Sequence, residues 1–199
     1  MKTVAAKPTV LVDYFSARKS WVADCALALL GAAVVGLSAQ LSAPMWPVPI
    51  TAQTLAVLLV GAALGARRGA LSITFYLLIG VAGLPWFAGM TGGPASFMKP
   101  SFGYIIAFIG SAWVSGRMAE RRWDRSFGKT LGAFAAAAVI PYTIGVPYMA
   151  MVLAALGKPL SFAEAINLGV TPFLIGDTVK CIIAAAIMPA AWKLLSKLS

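Results

Sequence analysis

Residues 21–41 read WVADCALALLGAAVVGLSAQL, a largely apolar stretch with a single charged residue, Asp24. A helix needs about 20 predominantly apolar residues to cross the hydrocarbon core of a bilayer, and this stretch has that length. Five more apolar segments follow it, with approximate bounds 50–66, 69–84, 102–118, 130–156 and 172–194. The sequence therefore predicts an all-α polytopic membrane protein with six transmembrane helices.

The composition agrees with a chain whose solvent is the bilayer. Hydrophobic residues make up 60% of the 199 residues, only 11% are charged, and the mean hydropathy is +0.87. A soluble domain is closer to half apolar and a quarter charged. The first twenty residues are basic and lack the apolar core of a secretory signal peptide. We expect residues 1–20 to form a basic cytoplasmic tail and residues 20–199 to form one membrane domain.

The basic residues are distributed unevenly between the two ends of the predicted helices. If the helices alternate in direction, Lys99 and Lys158 lie on one side and Lys180 lies within the last segment. The other thirteen lie on the opposite side: Lys2, Lys7, Arg18, Lys19, Arg67, Arg68, Arg117, Arg121, Arg122, Arg125, Lys129, Lys193 and Lys197. Basic residues favour the cytoplasmic side. We therefore expect a multi-pass membrane protein with both termini in the cytoplasm. The net charge of +10 then reflects topology and attraction to anionic membrane lipid rather than nucleic-acid binding.

The second and third segments are short and are separated only by Arg67 and Arg68. We interpret them as a tight helical hairpin that turns at the two arginines. The alternative is one long helix broken at the same place.

An outer connection between Gly80 and Gly103 contains six glycines and three prolines, too many for a stable helix. The stretch is nevertheless apolar. Irregular backbone at membrane depth is tolerated where it packs on protein or lines a cavity. This connection predicts a binding site on the outer side, and the alternative is a mobile surface loop with aromatic anchors.

The last segment carries two charged residues, Asp177 and Lys180. A charge within a membrane span costs about 2.5–3.5 kcal/mol on insertion scales, so a pair of them indicates a functional site. Their spacing places both on one face of a helix, where they could equally form a structural ion pair. Gln53, near the start of the second segment, could bond a ligand or a neighbouring helix.

The first segment has small residues at every fourth position, Ala28, Ala32 and Gly36. Such a ridge allows close helix packing. It predicts either a seam within the chain or a docking face for another membrane protein.

The residue content argues against most enzyme chemistry. Histidine is absent, and the two cysteines are far apart, so no metal-ligand cluster is expected. The run Gly128-Lys129-Thr130 lacks the upstream glycine of a phosphate-binding loop, because Trp123 occupies that position. Any ATP-driven step would therefore need a partner. An intramembrane enzyme that uses Asp177 as an acid or base is the alternative. It is disfavoured because Asp24 is the sole second carboxylate within the predicted spans.

Several short motifs together resemble one family in order and spacing. They are PVPIT at 47–51, QTLAV at 53–57, RRGAL at 67–71, GLP at 83–85, FAG at 87–89, Gly92-Gly93, Gly103-Tyr104, and Gly176-Asp177 with Lys180. Over about residues 20–195 the chain resembles the BioY family, the biotin-binding substrate components (S components) of energy-coupling factor (ECF) transporters.

The resemblance implies a six-helix S-component fold that is not an enzyme and needs no cofactor. It would capture biotin on the outer side and deliver it inward with a transmembrane coupling protein and two cytoplasmic ATPases. The first helix would dock on the coupling protein through Ala28, Ala32 and Gly36. The implied substrate-binding residues are Asp177, Lys180, Gln53, Trp86, Phe87, Gly92, Gly93, Tyr104 and Tyr148. Open alternatives are an S component for riboflavin or thiamine, and a scaffold subunit without a ligand.

Overall fold

A computed structural model describes residues 9–14 and 20–198. The described residues form seven α-helices: α1 Trp21–Gln40, α2 Gln53–Leu64, α3 Ala66–Val81, α4 Phe102–Glu120, α5 Phe127–Ala155, α6 Phe162–Gly169 and α7 Thr171–Leu198. Short strands β1 (Ser42–Ala43) and β2 (Ile50–Thr51) pair antiparallel between α1 and α2. Three short 3-10 helices cover Leu11–Tyr14, Pro94–Met98 and Trp123–Arg125. Of the predicted basic tail, Lys2, Lys7, Arg18 and Lys19 lie outside the described residues.

The six predicted segments correspond to α1–α5 and α7, each within a few residues. Three stretches of the described chain are long and apolar enough to cross a membrane: Trp21–Gln40, Phe127–Ala155 and Phe162–Lys197. The short helix α6 was not predicted. It begins at a capping box in which Ser161 and Glu164 satisfy each other's backbone N–H groups, and it leads directly into α7.

Helices α2 and α3 form the predicted hairpin, but the position of the turn was predicted wrongly. The turn is Gly65, whose φ of +88° favours glycine, and Arg67 lies in the first turn of α3. The Gln53 side chain, at the start of α2, donates to the Tyr76 hydroxyl of α3 over 2.8 Å. A contact between these distant positions requires two antiparallel helices, which excludes one long helix.

The small residues of α1 face the interior of the chain. Ala28 and Ala32 are 0% exposed, and a Cβ on Gly36 would lie 3.0 Å from the Trp86 ring. The prediction that this ridge docks on a partner is therefore wrong, because its side chains already form the seam with the neighbouring helices. The opposite face of α1 is the exposed one, with Leu37 at 73%.

The end of the bundle at which α1, α3 and α5 begin is closed by ion pairs and a buried carboxylate. Arg68 pairs with Asp13 at 3.3 Å and with Asp24 at 2.6 Å. Asp124, 2% exposed, accepts a hydrogen bond from the Trp192 indole. Burial raises the pKa of the Asp124 carboxyl, and the hydrogen bond from Trp192 opposes that shift. These contacts tie residues 9–14 and the α4–α5 connection to the helix ends.

Candidate ligand-binding site

A cavity of about 210 Å³ lies at the end of the bundle where α2, α4 and α7 begin. Its walls come from these helix starts, from the middle of α5, and from the connections 41–52 and 82–101. Arg67 and Arg117 lie at the start of α3 and near the end of α4, and therefore at the opposite end of the bundle. The cavity is thus on the side that the charge distribution predicts to be outer.

Two charged side chains form the polar floor of this cavity. The Lys180 ammonium donates to Asp177 Oδ1 over 2.9 Å, and both side chains are largely buried, at 15% and 13% exposed. The Tyr142 hydroxyl of α5 donates to Asp177 Oδ2 over 2.6 Å. An ionised carboxylate has about four acceptor sites. Asp177 is therefore held by two donors and can still accept hydrogen bonds from a ligand.

Gln53 adds a fixed amide to the same cavity. It is 4% exposed, and its Nε2 donates to Tyr76 as described for the hairpin. The Thr51 hydroxyl donates to Gln53 Oε1 over 3.2 Å. The contact with Tyr76 is the neighbouring-helix role considered from the sequence, and the side chain also lines the cavity.

Aromatic side chains form the apolar wall. Phe87 and Phe102, 3% and 1% exposed, meet edge to face with ring centroids 6.2 Å apart. Tyr104 packs against Phe173 at 6.1 Å, and its hydroxyl donates to the Gly169 carbonyl over 2.8 Å. This bond also fixes the junction between α6 and α7. A flat, rigid apolar ligand would find partners on both pairs of rings.

The glycines of the outer connection fold it back on itself instead of lining the cavity. Gly93 N–H donates to the Gly80 carbonyl over 2.8 Å, and a Cβ on Gly92 would collide with the Leu84 carbonyl. Gln40 clamps the same loop, since its Nε2 donates to the Trp86 carbonyl over 2.9 Å. The loop is therefore held in one shape above the helices.

The structure brings five of the nine predicted site residues to the cavity wall: Asp177, Lys180, Gln53, Phe87 and Tyr104. The other four support the wall from behind: Trp86, Gly92, Gly93 and Tyr148. The Trp86 indole donates to the Tyr76 carbonyl over 2.9 Å. The Tyr148 hydroxyl donates to the Phe97 carbonyl over 2.7 Å. Both side chains anchor the outer connection.

Sequence reasoning missed several polar residues of the cavity, among them Lys99, Ser96 and Tyr142. Ser96 is 1% exposed, and its hydroxyl has no hydrogen-bond partner among residues 9–14 and 20–198. Lys99 also makes no side-chain hydrogen bond or ion pair to a described residue. A signal for Lys99 was available, since it is a basic residue in an apolar loop on the side where basic residues are scarce. The only signal for Tyr142 was its position beside Pro141.

The cavity carries one net positive charge. Lys180 neutralises Asp177, and Lys99 is left as an additional cation in the same loop segment as the unpartnered Ser96 hydroxyl. A buried polar group without a partner is costly unless a ligand supplies one. The lining fits a mostly apolar ligand that carries a hydrogen-bonding group and an anionic group.

Comparisons of the sequence with a family model and with known proteins both indicate the BioY family. The BioY family model matches residues 7–197. The chain is 37% identical to the biotin transporter BioY of Rhizobium etli over 172 residues, which cover 81% of this chain and 89% of the relative. It is 35% identical to the biotin transporter BioY of Thermotoga maritima, with 78% and 87% covered.

A solved structure is similar over most of its length. It is the S-component for biotin from an ECF-type ABC transporter, with 27% identity and a TM-score of 0.71. The alignment covers 86% of this chain and 92% of the solved chain. This similarity confirms the predicted all-α membrane fold of an S component.

Proposed function

The chain belongs to the BioY family, and we propose on this basis that it is the substrate-binding component of a biotin uptake transporter. It binds its substrate and catalyses no reaction. The observation that supports the proposal further is the lining of the cavity, which combines aromatic walls with two sets of polar residues, Asp177 with Lys180 on α7 and Lys99 with Ser96 in the connection 82–101. Biotin has matching chemistry: a ureido ring is fused to an apolar tetrahydrothiophene ring, and an apolar chain leads from that ring to a carboxylate.

The ureido group of biotin binds at the floor of the cavity. Its N–H groups donate to Asp177, whose carboxylate is already oriented by Tyr142 and Lys180. Its carbonyl accepts from Lys180 or from Gln53. Asp177 neutralises Lys180, whereas no described residue pairs with Lys99. The ligand carboxylate is therefore favoured at Lys99, and this electrostatic difference selects the orientation.

The carboxylate of biotin binds at the other polar group. The Lys99 ammonium supplies the opposite charge, and the buried Ser96 hydroxyl supplies a donor that the protein itself leaves unused. Between the two ends, the ring system and the chain pack on Phe87, Phe102 and Tyr104. Trp86, Tyr148, Gly92 and Gly93 hold the loop that closes this wall.

The proposed topology places the cavity on the outer side of a prokaryotic cell membrane and both termini in the cytoplasm. It is supported by the thirteen basic residues on one side against two on the other. Because the sequence has no phosphate-binding loop, ATP hydrolysis belongs to partners. We propose that these are one transmembrane coupling protein and two cytoplasmic ATPases. Since Ala28, Ala32 and Gly36 are buried, the coupling protein contacts other residues.

A calorimetric titration of the purified protein with biotin, riboflavin and thiamine tests the proposed substrate. We expect saturable binding of biotin and no measurable heat from the other two. Thiamine is a cation and should be repelled by the net positive cavity. Binding of riboflavin or thiamine in preference to biotin would contradict the proposal.

A further inference from the structure

A second cavity lies at the opposite end of the bundle from the ligand site. It is a groove of about 490 Å³ between the start of α3 and the end of α4. Three arginines line it, Arg67, Arg117 and Arg121, together with Glu120 and Trp113. The groove plays no part in the binding of biotin proposed above.

A close crossing of two helices brings these arginines together. Gly116 of α4 lies so near the start of α3 that a Cβ would collide with the backbone of Gly65 and Ala66. Glu120 Oε1 accepts from the Ala66 N–H over 2.9 Å. The crossing therefore fixes the start of α3 against the last turns of α4.

The charges of the groove do not balance. Arg117 donates to Glu120 Oε2 over 2.9 Å and is neutralised by it. Arg67 and Arg121 are exposed and make no side-chain hydrogen bond or ion pair within the described part of the chain. The groove therefore carries two uncompensated positive charges. The partial positive charge at the start of α3 adds to them.

The groove is polar where its arginines lie and apolar where Trp113 lies. It lies on α4 one turn before Arg117, on the same helix face, and is 48% exposed. Tryptophan is enriched at the boundary between hydrocarbon and headgroups. The arginines then lie at headgroup level, and Trp113 lies at the level where acyl chains begin.

We propose that this groove binds the headgroup of an acidic phospholipid. Arg67 and Arg121 hold the phosphate, and Trp113 packs on the glycerol and the first part of an acyl chain. Basic pockets between membrane helices on the cytoplasmic side suit such headgroups, and guanidinium groups match phosphate oxygens geometrically. The inference rests on the proposed topology but not on biotin binding. The site would fix the α3–α4 end of the chain at the inner membrane boundary.

Native mass spectrometry of the detergent-solubilised protein tests the proposal. The protein is mixed with equal amounts of phosphatidylglycerol and phosphatidylcholine, and the retained lipid is counted. We expect one phosphatidylglycerol to be retained in preference to phosphatidylcholine. A double variant, Arg67→Gln with Arg121→Gln, should lower that preference by about tenfold or more. The matched control is Arg122→Gln with Lys129→Gln, which removes the same charge from exposed positions outside the groove.

Three outcomes would overturn the proposal. The first is equal retention of both lipids by the unmodified protein. The second is an equal loss of preference in the groove variant and the control, since that indicates only general surface charge. The third is an unchanged preference for phosphatidylglycerol in the groove variant. If that variant also fails to assemble with the coupling protein, the groove binds an acidic protein segment instead of a lipid. Circular dichroism of each variant provides the folding control without any need for biotin.

Discussion

Replacing Asp177 with asparagine should weaken biotin binding without unfolding the protein. Asp177 accepts from Tyr142 over 2.6 Å and from Lys180 over 2.9 Å, so each carboxylate oxygen has one protein donor. An asparagine of the same shape has one oxygen and one NH₂ group. Whichever way the amide is oriented, its NH₂ group faces a donor. The site loses both an acceptor for the ligand and the charge that balances Lys180.

The expected magnitude follows from the loss of one charged hydrogen bond to the ureido group. Such a bond contributes about 1.5–3 kcal/mol. At about 1.4 kcal/mol per factor of ten, the dissociation constant should rise by about tenfold to about 150-fold. Without the Asp177 charge, the cavity of the variant has one more positive charge than that of the unmodified protein. This favours the biotin carboxylate and offsets part of the loss. Biotin amide, which has no carboxylate, should therefore show an equal or larger loss.

The assay is isothermal titration calorimetry of the purified protein with both ligands. The matched control is Asp24→Asn, the same chemical change at a carboxylate that pairs with Arg68 far from the cavity. Its affinity for biotin should equal that of the unmodified protein. Unchanged affinity in a folded Asp177→Asn variant would remove this residue from the site. An equal loss in Asp24→Asn would show that the effect is not local.

Four further substitutions test other contacts in the cavity and the helix bundle. Lys99→Ala should weaken biotin by about tenfold or more and leave biotin amide unaffected, since only biotin carries the charge that Lys99 pairs with; an equal loss for both ligands would refute that pairing. Tyr76→Phe should lower the free energy of unfolding by about 1–3 kcal/mol in a detergent melt, because the buried Gln53 amide loses its acceptor; an unchanged melt would contradict this. Ala32→Leu should destabilise by about 1–3 kcal/mol because the seam has no room for it, whereas Leu37→Ala on the exposed face should have little effect. Equal stability of these last two variants would contradict the assignment of the seam.

The sequence predicted the helices well because apolar length is a local property. Each of the six segments was recognisable from its own residues, and bilayer thickness sets how long a span must be. The turn at Gly65 was placed wrongly because the adjacent arginines were the stronger signal. Helix α6 was missed because eight residues leave little periodic pattern and its cap depends on local hydrogen bonds.

From the residues alone, the candidate site was predicted only where a residue was conspicuous by itself, and the family resemblance added Phe87 and Tyr104. Asp177 and Lys180 stood out as charges within a span. Tyr142 and Ser96 did not, because their roles depend on which helix faces which. The same reason explains why Ala28 was wrongly predicted to contact a partner protein. A small residue on a helix face indicates close packing, but the sequence does not say whether the neighbouring helix belongs to the same chain.

We propose that one biotin molecule occupies the cavity that Asp177 and Lys99 line. The most direct test is a mass-spectrometric count of the ligand retained by protein purified from cells grown with biotin. We expect one biotin per chain in the unmodified protein and in Asp24→Asn, and none in a folded Asp177→Asn, Lys99→Ala double variant. A protein that retains no biotin, or a double variant that retains as much as the unmodified chain, would contradict it.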